Sequence, residues 1–183
     1  PLARVLGRIP DFATPGTYLE KLRSLYLTHP NPLMPVVADK IALRDYCALF
    51  DLPLRTLDTI GVYDDPRDLD LSTLQRPCFL KVNDGCKMNM LHGPGMPVTP
   101  LWLRIFRWDW WHTDHWRRHG ELHYRDIPRR LLVEEALLPI NKLHDCGVYC
   151  AMGEPYMFFT KTYRTGGKSQ RRSYIALDRK LDC

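Results

Sequence analysis

At 183 residues, with 45% apolar and 26% charged side chains, the chain has the size and balance of one globular domain or two small lobes; this excludes a disordered, collagen-like or coiled-coil polypeptide. Its net charge of +5 suits polyphosphate, anionic lipid or nucleic acid as a partner. No apolar run approaches the ~20 residues of a membrane span and Pro1 to Arg8 has no signal-peptide core, so the expectation is a cytoplasmic protein without stable membrane insertion.

In chain order, Thr17-Tyr18-Leu19-Glu20 is a capping box, and Tyr18, Leu22, Leu25 and Tyr26 recur at helical spacing, predicting a first helix that stops at His29-Pro30-Asn31-Pro32. A second helix is expected from Asp39 as N-cap, burying Ala42, Tyr46, Leu49 and Phe50 and ending before Asp51-Leu52-Pro53. Strands are expected within Thr56 to Tyr63 and at Cys78 to Val82, followed by a turn-rich loop from Leu91 to Pro97. Thr99 with Pro100 opens a long helix, whose apolar side would carry Leu101, Ile105, Trp108, Trp111, His112, His115 and Trp116. Strands return at Arg130 to Glu135, Val148 to Ala151, Tyr156 to Thr162 and Ser173 to Leu177; Met152 to Pro155 forms a hairpin turn, and the segment with Gly166-Gly167 leads into the last strand. Helices mixed with mostly antiparallel strands, without a βαβ rhythm, give an α+β fold class.

The six cysteines include no pair at the two-residue interval of zinc ribbons, so reduced thiols are expected. His112, His115 and His119 share one helical face and could in principle meet a zinc ion, but the tryptophans between them point to an amphipathic helix. Those tryptophans, interleaved with Arg104, Arg107, Arg117 and Arg118, could stack bases; core packing with a basic outer face accounts for the same pattern, and no nucleic-acid partner is expected. Serine-hydrolase, dinucleotide and P-loop signatures are absent.

Three places combine into something more specific. Lys40 follows the helix-capping Asp39, and Lys81 ends a strand that enters the turn Asn83-Asp84-Gly85-Cys86-Lys87, where an ammonium and turn amides can meet a phosphate. Glu134 and Glu135 are strand neighbours, so one carboxylate can enter a cleft while the other leaves it.

The order of segments resembles the TupA-like ATP-grasp family, linked to bacterial cell-surface polysaccharide and teichuronopeptide synthesis. The likeness runs through Thr14 to Leu22, ADKIALRDY, GVYDDPRDLD, CFLKVNDG, ELHYRDIPRRLLVEEAL and DCGVYCAMGEP. It implies a single ATP-grasp-like domain over 1–183, with a helical 1–53 and two lobes of mostly antiparallel sheet and packed helices at about 54–128 and 129–183. It also implies a carboxylate-amine ligase-like activity in the cell envelope, ATP and Mg²⁺ as cofactors, and a carboxylate- or amine-bearing saccharide or amino acid as partner. Residue by residue, Lys40 and Lys81 would contact phosphates, Asn83 to Gly85 would cover them with Lys87 adding charge, Glu134 and Glu135 would form the adenine hinge, and Asp145 would approach the ribose. The family's glycine-rich turn reads Asn83 to Met88 here, its Asp-Tyr-Lys reads Asp145-Cys146-Gly147, and magnesium ligands are expected beyond Cys183, so the chain reads as a fragment whose catalytic residues stay unassigned. The alternatives are a degenerate, non-catalytic nucleotide-binding module, or a glycosyltransferase of the same pathway using Asp68-Leu69-Asp70.

Overall fold

A computed structural model describes residues 2–50, 55–139, 143–151, 153–163 and 170–176 of the chain. They fall into two units, Pro1–Ala136 and Leu137–Cys183. Both are built on antiparallel sheet, and helices join the sheet of the first, so the α+β class holds.

The first unit begins with α1 (Leu2–Leu6) and α2 (Tyr18–Thr28). The capping box is complete: the Thr17 hydroxyl accepts from Glu20 N at 3.3 Å, and the Glu20 carboxylate accepts from Thr17 N at 3.0 Å. Glu20 also takes two hydrogen bonds from Arg8, at 2.6 and 2.9 Å, and one from Asp11 N at 2.9 Å, so a single carboxylate gathers the N-terminal segment onto α2. The Arg8 guanidinium, then the Asp11 and Thr17 donors, hold the Glu20 carboxyl at about 2, against an ordinary 4.5. A carboxyl depressed on folding contributes stability that is complete above about pH 4.5 and is lost as pH falls toward about 2. Urea midpoints of Glu20→Gln and the parent chain should therefore differ most above that window and converge at its acid end.

After α2 the chain makes α3 (Leu33–Ala38) and α4 (Ala42–Leu49). The sequence reading has no helix between Pro32 and Asp39; Pro35 stands in the first turn of α3, where a missing N–H costs nothing. The expected second helix starts at Ala42 with Ile41 as its cap, and Leu49 and Phe50 are exposed, not buried. Asp39 still organises the entry, its carboxylate accepting from Ile41 N at 2.8 Å and its carbonyl from Leu43 N at 2.9 Å.

Four strands form the first sheet: β1 (Thr59–Tyr63), β2 (Cys78–Val82), β3 (Asn89–His92) and β4 (Leu131–Glu135), in the order β1-β4-β2-β3. Leu91 and His92, expected in a loop, close β3, and a tight Gly93–Met96 turn follows. Strand alternation divides the residues into two faces. Cys78, Leu80 and Val82 of β2 stand opposite Glu135, Val133 and Leu131 of β4. With Leu69, Leu74, Met88, Val98 and Phe106 their apolar members make the buried core. Phe79 and Lys81, with Glu134 and Leu132 opposite them, take the other face.

Because β4 sits between β1 and β2, residues 131–136 belong to the first unit, whereas the sequence reading opened its second lobe at 129. The long helix expected from Thr99 is also divided. It runs as α5 (Pro100–Ile105), a five-residue π-turn (Phe106–Trp110) closed by Trp111 N on Phe106 O at 3.1 Å, and a separate α6 (His115–His119). The wide turn places Phe106 in the core with Trp110 edge-on at 5.3 Å and leaves Leu101, Ile105 and Trp108 facing outward.

The second unit is an antiparallel meander of β5 (His144–Ala151), β6 (Glu154–Tyr163) and β7 (Gln170–Ala176). Gly147 lies opposite Phe159, whose ring crosses the space a Cβ would need. The segment with Gly166-Gly167 lies outside the described residues. No helix among the described residues is long and apolar enough to cross a membrane.

Candidate functional site

The site is the turn between β2 and β3 together with the sheet face that carries Lys81 and Glu134. Three side chains fix the turn. Asn83, fully buried, donates from Nδ2 to Asp39 Oδ1 at 3.0 Å and to Pro128 O at 2.9 Å, while its Oδ1 accepts from Arg130 N at 2.7 Å. Arg129 clasps the Asp84 carboxylate, with Nη2–Oδ2 at 2.8 Å, and donates to the carbonyls of Trp111 and Thr113. Lys40 reaches across from the α3–α4 junction and donates to the carbonyls of Val82 at 3.0 Å, Asn83 at 3.1 Å and Gly85.

That tripod matches the three protons of an ammonium with three carbonyls. Burial pushes the Lys40 ammonium below its ordinary pKa, and neighbouring Lys81 acts in the same direction. Lys40 therefore shapes the turn from beneath. Gly85 is tightly enclosed: a Cβ there would displace the flexible end of the Met88 side chain and press on His115 at 3.2 Å. Lys87 adopts φ = 64°, a backbone conformation that favours glycine, and its side chain is exposed. Of the turn amides, Asn83 N donates to Arg130 O and Cys86 N to His115 Nδ1.

On the sheet face, register explains the central ion pair. Glu134 stands opposite Phe79, so Lys81, two residues further along β2, is its diagonal neighbour within reach of a long side chain. The Lys81 ammonium pairs with Glu134 Oε1 and lies 5.1 Å from the Phe79 ring centroid. Arg44, from the first turn of α4, pairs with Glu134 Oε2 and donates to Leu57 O at 2.5 Å. One almost solvent-free carboxylate thus holds two partly exposed cations. Arg130 adds a third positive side chain 3.9 Å from Asp39, and its Nε is buried without a hydrogen-bond partner.

Six of the eight residues singled out from the sequence, Lys40, Lys81, Asn83, Gly85, Lys87 and Glu134, therefore lie on or beside one turn and the sheet face next to it. Glu135 points to the opposite face, 3.9 Å from Arg76. Asp145 belongs to β5 of the second unit, 3.3 Å from Lys161. Arg44, Arg129 and Arg130 carried no role in the sequence reading. They lie inside the quoted segments, but their partners are 90, 45 and 91 residues away along the chain, a separation no local pattern records.

The neighbouring imidazole belongs to the packing of the same turn. His115 is buried, with Nε2 2.9 Å from Glu121 and its ring stacked on His119 at 4.4 Å, whereas His112 is exposed. Among the described residues no three histidine, cysteine, aspartate or glutamate side chains are placed to hold a metal ion. Asp70 is engaged in capping a short 3₁₀ turn, accepting from Ser72 N at 2.9 Å. Cys47, Cys78, Cys86, Cys146 and Cys150 are free thiols. Set against known proteins, the chain matches no family model and no curated sequence.

Proposed function

We propose that the chain is an ATP-grasp-like nucleotide-binding protein, related to the carboxylate-amine ligases of bacterial cell-surface polysaccharide synthesis. The observation that carries this reading is the convergence of Lys81, Arg44 and Arg130, with two intervening carboxylates, around a turn held rigid from below. A triphosphate fits that donor set on physical grounds: the cations outnumber Asp39 and Glu134, and the buried Arg130 Nε–H has no acceptor. Lys87, at φ = 64°, holds a backbone conformation that favours glycine, the residue the resemblance implies at this position.

In this reading Lys81 and Arg44 contact the phosphates, Glu134 keeps both side chains in place, and Lys40 with Asn83 fixes the turn. Bound ATP would supply the phosphoryl group that activates a carboxylate of a saccharide or amino acid for attack by an amine. The described residues do not by themselves make a magnesium site, and no step is derived through that ion. Calorimetry with ATP tests the reading: saturable binding is expected, weakened about tenfold or more by Lys81→Met, the loss of one charge-assisted phosphate contact. Absence of saturable binding to the folded chain overturns it.

A second reading, a module that holds nucleotide without turning it over, is favoured by the Lys40 tripod, which leaves that ammonium no proton for a phosphate. Phosphate release that depends on an added acceptor separates the two.

A further inference from the structure

We infer that the outer face of α5 and the π-turn after it is a docking surface for an anionic lipid bilayer, on which the protein lies without crossing it. The segment from Pro100 to His112 is apolar on two sides. Leu103, Phe106 and Trp110 pack on the core, yet Leu101 is 63% exposed, Ile105 46% and Trp108 85%. These three recur at i, i+4 and i+7 and line one shallow depression together with Arg104, Arg107 and His112. Trp102, 53% exposed, extends the apolar strip on its flank.

Charge selects the occupant. The segment carries Arg104 and Arg107 against one acid, Asp109. Arg104 has no ion-pair partner among the described residues. Arg107 forms no ion pair among the described residues; Asp65, which feels its charge, is already gripped by Arg67 at 2.9 and 2.5 Å. Solvent-facing indole, leucine and isoleucine flanked by guanidinium groups that form no ion pair among the described residues match the two layers of a membrane interface: acyl carbon beneath, anionic headgroups at the rim. Single-stranded nucleic acid would use Trp108 and the arginines but would leave Leu101 and Ile105 against water, because bases stack on rings and not on aliphatic side chains. The inference uses no feature of the nucleotide site.

Sedimentation with vesicles tests it on the full chain. Binding is expected to phosphatidylcholine vesicles containing phosphatidylglycerol, with a blue shift of tryptophan emission, and only weakly to phosphatidylcholine alone. Ile105→Ser with Trp108→Ser should lower the partition coefficient about tenfold or more. Arg104→Gln with Arg107→Gln should lower it by a similar factor on anionic vesicles only, and remove most of its salt dependence. Arg104, Ile105 and Trp108 are exposed and Arg107 is half-buried with no ion pair among the described residues, so unchanged far-ultraviolet circular dichroism and thermal midpoint are expected for both variants. The inference fails if the parent chain stays in the supernatant at low salt, if the Ile105/Trp108 variant binds like the parent, or if these substitutions abolish oligonucleotide binding or self-association of a chain that ignores vesicles.

Discussion

Replacing Asn83 by aspartate should destabilise the protein by about 4 kcal/mol at neutral pH, more than replacement by alanine, which should cost about 3 kcal/mol. The direction of the amide is settled by its partners. Arg130 N donates to Oδ1, so Nδ2 must face the Asp39 carboxylate and the Pro128 carbonyl, both acceptors. Alanine removes the bridge and leaves Pro128 O and Arg130 N without their partner, while Asp39 Oδ1 keeps Ile41 N. Aspartate keeps the bond from Arg130 N but sets a second carboxylate oxygen against Asp39 at about 3 Å in a buried place. Burial and like charge both raise the pKa of the introduced carboxyl in the folded state. A carboxyl raised on folding imposes no charge penalty below its unfolded pKa of about 3.9, and the penalty grows as pH rises from there to the folded value. The gap between the aspartate variant and the parent in urea midpoint should therefore narrow from pH 7 toward about pH 4, while the alanine gap stays level. Equal and pH-independent losses would mean that Asn83 fills space and does not tie Asp39 to the turn.

How far this arrangement could be read beforehand depends on how local its causes are. The Thr17 capping box and the strand of Lys81 were legible because cap chemistry and period-2 alternation act over three to five residues. The alternation of Glu134 and Glu135 was legible for the same reason, since adjacent strand residues must face opposite ways whatever the sheet order. Sheet order itself was not: β4 enters between β1 and β2, and this long-range choice moved 131–136 out of the expected second lobe. The helix from Thr99 went astray at one residue. Trp111 N bonds Phe106 O instead of Arg107 O, and that widened turn exchanges the expected inner side for the outer one. A segment apolar on two sides, as here between Leu101 and Trp111, has no single face to announce. The resemblance sets Lys40 against a phosphate; that three backbone carbonyls meet its ammonium instead is a property of the turn 42 to 45 residues later, which no local pattern around Lys40 records.

The second large effect is expected at Glu134. Glutamine there keeps the shape of the side chain but leaves the Lys81 and Arg44 cations side by side with no counter-charge. Removing one member of a buried ion pair costs about 3 to 5 kcal/mol; both cations keep about a fifth of their surface in water, so about 3 kcal/mol is expected. Lys81→Met should cost far less, about 1 kcal/mol, since Glu134 then still holds Arg44. The double variant should recover part of the loss, giving a coupling of about 1 to 2 kcal/mol in a thermodynamic cycle. A coupling near zero would show that the two groups do not share a charge balance, and the register argument for the site would fail with it. The same substitution also separates a structural carboxylate from one that stands where an anion binds. If Lys81 and Arg44 face phosphate when nucleotide is present, inorganic triphosphate should raise the thermal midpoint of Glu134→Gln by more than it raises that of the parent chain, because the added anion replaces a charge the variant has lost. In Lys81→Met that increment should shrink below the parent value. A triphosphate increment that is the same in all three proteins would place the anion away from β2 and β4 and leave Glu134 as a purely structural counter-ion.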